Sequence, residues 1–451
     1  VRFAFVCAAA AAAAAALAWP SPARASDEDL FGWGPRSPAM GGTGAASSHG
    51  ADAAYTNPAL LSRVHRNLLT LGWSGASYDL HAEGGGLPGR VSVLPAKGFS
   101  VGAEVPIPFG GALKDRVAAG MVFYTPSDAL VRGRILYPET PQFPLLADRS
   151  QSLAVRIAVG ADLGWGLRVG AGFAALAELV GAIDIVNTAG NAGAHVDDQL
   201  VATYAPTVGV AWDLPFDRAA DGSSRWRVGA TLRGKLAATF GVTVDASKLS
   251  SLALPPFNIG GVAQYDPEEA ALEVARESDG WTVAAGVTWK HWSAYPGVFE
   301  PTILCPASHP DCAALTPPQI AFSDTFVPRF GVERRFDLPR HASVSARGGF
   351  FYEPTPVPTT LPSSQAYDLG AQSLVDLPTR FFDTSRYVFS VGAGVDMGDE
   401  APFTLDVYAQ YHVLADTTVT TCNGGQCNPD PGPAKLSGNV LAWGLMLGVR
   451  F

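Results

Sequence analysis

The chain has 451 residues, of which 47% are hydrophobic and 16% charged, with a formal net charge of -10. That balance lacks the clustered Lys and Arg that phosphate binding needs, which argues against a nucleic-acid partner, and it does not suit a long disordered chain. Beyond the start of the chain there is no unbroken apolar run of the roughly 20 residues a membrane helix needs; Leu167 to Ile183 comes nearest, and Glu178 and several glycines interrupt it.

At the start, Val1-Arg2-Phe3 leads into an apolar stretch with the alanine run Ala8 to Ala16, and Ala23-Arg24-Ala25 precedes the acidic Ser26-Asp27-Glu28-Asp29. One cation, a short apolar core and small residues at the cleavage site describe a secretory signal peptide. Pro20 and Pro22 weigh against an uncleaved anchor. Residues 1–25 are therefore expected to be a leader, with the mature chain beginning near Ser26.

The stretch from Gly34 to Val64 resembles neither the leader nor the long alternating region on its C-terminal side. Small residues dominate it: Met40 is followed by Gly41, Gly42 and Gly44, then Asp52, then Asn57-Pro58-Ala59. It has too little apolar bulk for a core of its own, while its glycines permit close backbone approach to something else. The economical expectation is a compact plug, residues 26–66, held inside a larger structure; a flexible Gly/Ala-rich linker is the competing expectation.

From residue 67 onward the chain alternates. Leu441, Trp443, Leu445, Leu447, Val449 and Phe451 share one parity, and Val440, Ala442, Gly444, Met446, Gly448 and Arg450 the other. Trp226 to Asp245 repeats the pattern, with Trp226, Val228, Ala230, Leu232, Leu236 and Phe240 opposite Arg227, Thr231, Arg233, Lys235 and Thr239. In order, the expected strands are Asn67 to Leu80, Gly98 to Phe109, Val117 to Thr125, Gln151 to Gly160, Leu167 to Ile183, Gln199 to Trp212 and Arg225 to Val244. Phe257 to Tyr265, Trp281 to Trp292, Thr325 to Phe336, His341 to Glu353, Arg386 to Asp396, Phe403 to Val413 and Asn439 to Phe451 complete about fourteen.

A soluble sandwich would alternate too, with its apolar face inward. Three features favour a transmembrane antiparallel β-barrel over residues 67–451. The segments have the length of outer-membrane strands, about 9 to 11 residues across the bilayer. Trp226, Trp281, Trp289 and Trp443 sit near strand ends on the apolar parity, as interfacial belts do. Brief connections such as Gly110 to Arg116 and Asp337 to Arg340 alternate with long ones such as Pro126 to Ser150, Ser293 to Asp324 and Pro354 to Ser385, the asymmetry of periplasmic turns and extracellular loops. Closure follows because an open strand edge in hydrocarbon leaves costly unpaired backbone groups.

Cys305 and Cys312 share one long loop, and Cys422 and Cys427 flank Asn-Gly-Gly-Gln in another. Four cysteines allow three pairings; the local one, Cys305 with Cys312 and Cys422 with Cys427, needs no distant geometry and suits an exported, oxidising location. No metal site is expected, since no His or Cys cluster with zinc spacing accompanies either pair.

The Ala39-Met40-Gly41-Gly42 stretch, the acidic residue near the middle and the Asn57-Pro58-Ala59 close resemble the N-terminal hatch of the FadL/TodX-type family of outer-membrane transporters for long-chain fatty acids and other hydrophobic compounds. Thr288-Trp289-Lys290-His291-Trp292-Ser293, the run from Gly348 to Pro358 and the terminal Phe451 are similar to the same family in the same order. The resemblance implies a monomeric barrel in a Gram-negative outer membrane, surrounded by lipid and lipopolysaccharide. It further implies that a hydrophobic ligand is caught by the extracellular loops and released past the hatch, sideways through the wall; passive transport is expected because the chain is too short for a 22-stranded energised barrel and its plug domain. Phe451 corresponds to the closing residue read by the barrel-assembly machinery. Within Val105-Pro106-Ile107-Pro108, Pro106 and Pro108 are candidates for the kinked strand at the lateral opening, because proline cannot donate to a ladder; a plain strand end is the alternative.

On the inward parity, Arg156, Arg233 and Lys290 are the candidates to hold a ligand carboxylate by charge-assisted hydrogen bonds, although mixed charges in a narrow lumen mostly pair with one another or with the hatch. No GxSxG elbow, HExxH helix or phosphate-cradling glycine loop occurs, so no catalysis and no cofactor are expected. A general diffusion porin and a surface adhesin or receptor barrel are the competing functions.

Overall fold

The structure, a computed structural model, describes residues 27–63, 66–127, 131–132, 139–147, 151–152, 154–188, 191–217, 225–245, 257–297, 318–368, 373–398, 401–427 and 432–451. The expected leader, Cys305 and Cys312 lie outside them.

Fourteen strands form the wall. They are β1 (Leu68–Gly84), β2 (Ala96–Pro106), β3 (Val117–Pro126), β4 (Ala154–Gly164), β5 (Leu167–Thr188), β6 (Asn191–Asp213) and β7 (Trp226–Arg233), then β8 (Glu269–Ser278), β9 (Trp281–Lys290), β10 (Thr325–Asp337), β11 (Ser343–Glu353), β12 (Arg386–Asp396), β13 (Phe403–Leu414) and β14 (Ala434–Arg450). Each pairs antiparallel with the next. β14 returns to β1 in a ladder running from Leu68↔Arg450 to Gly84↔Ala434, so the wall has no edge.

The alternation in sequence becomes the two faces of this cylinder. On β14, Leu441, Trp443, Leu445 and Leu447 are 40–46% exposed, whereas Val440, Ala442 and Met446 are buried. Large apolar side chains therefore line the outside and small or polar ones the inside, the inverse of a soluble core and the pattern that hydrocarbon selects. Most tight connections, such as Asp279-Gly280, lie at one end, the turn end, and the long connections at the other, the loop end, where β5 and β6 also meet at Thr188↔Asn191.

Two expected strands are corrected. The run from Trp226 breaks at Gly234-Lys235: after β7, Leu236–Asp245 leaves the wall, pairs with Phe257–Asp266 and runs parallel to β5 from Leu179 to Asp184. The eighth wall strand is therefore Glu269–Ser278, not Phe257 to Tyr265. Its sequence, EAALEVARES, reads as a helix former by composition. Its outward Leu272 and Val274 are exposed, and its inward Glu269, Glu273 and Glu277 have partners in the lumen that no local pattern announces. Pro106, paired with Ala118, is the last residue of β2, and Pro108 lies in the turn beyond, so this Pro pair marks a strand end with an unbroken ladder behind it.

Candidate functional site

Inside the wall runs an N-terminal segment with helices α1 (Asp27–Phe31), α2 (Arg36–Ala39) and α3 (Asp52–Thr56) and a 3-10 stretch, Pro58–Arg63. Helices this short do not persist alone; the wall holds them. Gly102, Gly120, Gly160, Gly170, Gly209, Gly229, Gly331, Gly349 and Gly392, on nine different strands, each turn their missing side chain toward residues 33–62. The segment thus touches the inner face around most of the circumference, and Ala39, Met40, Asn57, Ala59 and Leu61 are fully buried.

The residues singled out from sequence have distinct places in this contact. Gly41, at φ 65°, lies so close to the wall that a Cβ would stand 2.5 Å from the Phe330 carbonyl oxygen and 2.6 Å from the Phe350 nitrogen, so only glycine fits between β10 and β11. Gly44 opens a turn around Glu273 of β8, whose carboxylate accepts from the amides of Gly44 (2.6 Å), Ala45 (3.0 Å) and Ala46 (3.1 Å) and from Ser47 Oγ (2.7 Å). Asn57 donates to Ala45 O at 2.5 Å and to Val210 O of β6 at 3.0 Å, and accepts from Ala59 N, tying two parts of the segment to one strand. Pro58 and Ala59 press on Gly170 of β5. Asp52 packs against Gly34, and burial, with Asp406 as the next cause, pushes its carboxyl up to about 7 against the pull of Arg36 and Arg347.

Ion pairs complete the attachment. Arg36 meets Glu333 at 2.9 Å, and Arg347 bridges Glu333 to Asp406. Arg63 meets Glu277 at 3.1 Å. The three candidate ligand cations are engaged by the chain itself. Arg156 faces Glu28 at 3.3 Å and Asp266 at 3.8 Å; Arg233 faces Glu269 at 3.0 Å and stacks on Tyr55; Lys290 faces Asp29, Glu269 and Glu353 at 3.4, 3.4 and 2.9 Å. A buried ion left without its partner is costly, so each pair resists separation.

Sequence reasoning missed Glu28, Asp29, Arg36 and Glu273. The available signal was an acid or base at an inward or small-residue position, but pairing these groups requires knowing which strands face the segment.

Toward the loop end, Leu30 and Phe31 join a buried apolar cluster with Phe143, Leu146, Trp292, Phe322, Phe381, Phe382 and Leu436. Gln142 and Phe381, from two different long loops, form a parallel bridge; Gln142 N donates to Arg380 O and Phe382 N to Gln142 O. Toward the turn end lies a polar cavity of about 850 Å³, lined among others by Arg36, His49, Asp52, Arg63, Glu277 and Asp396. A smaller cavity, about 60 Å³, lies between the segment and the β8–β11 wall. Cys422 and Cys427 are disulfide-bonded in a tight hairpin outside the site, and Phe451, exposed, donates its amide to Asn67 O where the cylinder closes.

No protein-family model and no curated protein matches the chain. Among solved structures, the chain is similar to a Pseudomonas aeruginosa FadL homologue (TM-score 0.55, 14% identity, 96% of this chain and 99% of that one). It is also similar to the P. putida toluene transporter TodX (TM-score 0.54, 15% identity, 94% and 99%) and the Ralstonia pickettii toluene transporter TbuX (TM-score 0.50, 17% identity, 94% and 99%). At these identities the likeness is one of fold, over nearly the full length of each chain.

Proposed function

We propose that this chain is a passive outer-membrane channel for hydrophobic small molecules, such as long-chain fatty acids or aromatic hydrocarbons, in which residues 26–66 act as a hatch and residues 67–451 as the barrel. The observation that carries this reading is the packing of the N-terminal segment against glycines of nine strands, because a bore filled in this way does not conduct polar solutes freely. The apolar cluster beneath the loops supports a hydrophobic cargo: each methylene removed from water contributes about 0.8 kcal/mol, so an acyl chain or a ring partitions into such a site and not into a hydrated pore. The fold shared with toluene transporters and a FadL homologue supports the same class of cargo.

The test is uptake of a labelled long-chain fatty acid and of labelled toluene by cells lacking their own transporter, with single-channel conductance in parallel. The intact chain takes up at least one cargo and conducts ions poorly. Replacing Asn57 and Pro58 together releases the hatch and changes both readouts. Normal uptake and conductance in the double variant would remove the hatch from the mechanism. An intact chain with a large steady conductance and no uptake would make it a porin.

A further inference from the structure

We propose that Trp226, Arg276, Trp281 and Arg334 form a binding site for the anionic head group of a membrane phospholipid, on the outside of the barrel at its turn end. The assignment rests on the wall spanning a bilayer and needs neither the hatch nor a cargo. The side chains come from the consecutive strands β7 to β10 in one continuous register: Trp226 pairs with Arg276, Ser278 with Trp281, and Trp281 with Arg334. Their neighbours of opposite parity, Arg227, Ala275 and Glu333, are buried toward the lumen. Leu272, Val274, Val283 and Phe330, farther along the same outward columns, are 39–53% exposed. A cation on the outer face of a barrel is costly at the middle of the hydrocarbon and nearly free at its edge. Arg276 precedes the Asp279-Gly280 turn, and Arg334 pairs with Trp281, the first residue after it, so both stand at head-group level.

Aromatic rings hold the two guanidinium groups. Arg276 Cζ lies 5.7 Å from the Trp226 ring centroid, and Arg334 Cζ lies 5.1 Å from that of Trp281 and 5.3 Å from that of Phe336. Stacking occupies the face of a guanidinium and leaves N–H groups at its edge for the oxygens of a phosphodiester. The nearby acids compete unequally for these donors. Asp217 lies 3.1 Å from Arg225 and 3.6 Å from Arg276, and accepts from Trp226 Nε1 at 3.1 Å. Asp337 holds Arg335 at 2.9 Å, and the Asp279 carboxylate accepts from Ser278 Oγ at 2.7 Å. Arg334 donates to the Asp279 backbone carbonyl and, among the described residues, forms no ion pair with a carboxylate. Arg334 is therefore the principal anchor, and Arg276 divides its donors between Asp217 and the ligand. The outward apolar columns of β8 to β10 give acyl chains a continuous surface, so an anion that carries tails gains at both ends where a soluble anion gains only at its head.

The experiment measures, by native mass spectrometry of the full chain in detergent, the competition between phosphatidylglycerol and phosphatidylcholine of identical acyl chains. It is repeated for Arg276→Gln, Arg334→Gln and the double variant, with heat-modified gel mobility reporting that each barrel is intact. The intact chain is expected to prefer phosphatidylglycerol about tenfold, and the double variant to retain the two lipids within about twofold of each other. Arg334→Gln alone is expected to remove more of the preference than Arg276→Gln. Equal retention of both lipids by the intact chain, or an unchanged preference in the variants, would overturn the assignment. So would displacement of the lipid by an equal concentration of glycerophosphoglycerol, the same head group without tails, which would make this a site for a soluble phosphate ester. None of these outcomes bears on cargo uptake, so the transport function stands or falls separately.

Discussion

The backbone amide of Gly44 donates to the Glu273 carboxylate at 2.6 Å, the shortest of four hydrogen bonds that a turn of the N-terminal segment makes to this one wall side chain. A carboxylate has acceptor capacity for all four, and a side-chain amide does not. Glu273→Gln leaves at least one buried donor unmatched, at a cost of about 1–3 kcal/mol. The expected outcome is faster proteolysis within residues 44–47 and more frequent channel openings, with heat-modified gel mobility unchanged because the wall ladder is intact. Protection equal to that of the unaltered chain would show that the turn holds without Glu273.

Two neighbouring glycines on β11 provide an internal control. A Cβ on Gly349 meets the Gly41 nitrogen and the Met40 carbonyl carbon, whereas a Cβ on Gly348 has nothing closer than 3.8 Å. Gly349→Val is expected to displace Met40–Gly42 and raise conductance, and Gly348→Val to leave conductance within experimental scatter. Indistinguishable conductance traces from the two variants would contradict the contact.

Attachment of the segment should weaken as pH rises. Burial raises the Asp52 carboxyl, which among the described residues has no ion-pair partner within reach, from 3.8 to about 7. A carboxyl whose docked pKa lies above its free value favours docking most when it is protonated in both states. That contribution is fully present below about pH 4 and is lost as pH climbs toward 7, each pKa unit corresponding to about 1.4 kcal/mol. Channel opening frequency is therefore expected to rise from pH 5 to pH 8, and less steeply in Asp52→Asn, which removes this titration. A frequency that falls with pH would reverse the assignment.

Cargo admitted from the loop end must separate the loops that meet at Gln142 and Phe381. Cysteines at both positions, oxidised to a disulfide, are expected to abolish uptake, with recovery on reduction. Uptake by the oxidised form at the unlocked rate would place the entrance elsewhere.

The alternation of residues 67–451 carried the barrel, because a strand's side-chain period of two is a local property and the outward side needs only to be apolar. The small-residue stretch from Gly34 stood out as chain without apolar bulk for a core of its own, and its contacts with wall glycines became visible only in space. What stayed hidden shares one physical cause. Glu269–Ser278 reads as helix because its inward glutamates are satisfied by Arg233, by Arg63 and by the backbone of residues 44–46, groups separated from it by tens to hundreds of positions in the chain.

Hydropathy period, turn residues and composition, all properties of neighbouring residues, were enough for the sequence alone to determine a closed antiparallel cylinder. Only the tertiary structure decided which charges cancel. Coulomb pairing depends on where strands β4 to β12 place their inward side chains around the segment, and closing the ladder from Leu68↔Arg450 sets those positions for all of them at once. Arg156, Arg233 and Lys290 were on paper candidates to meet a ligand, and in space they face Glu28, Glu269 and Glu353 of the chain itself.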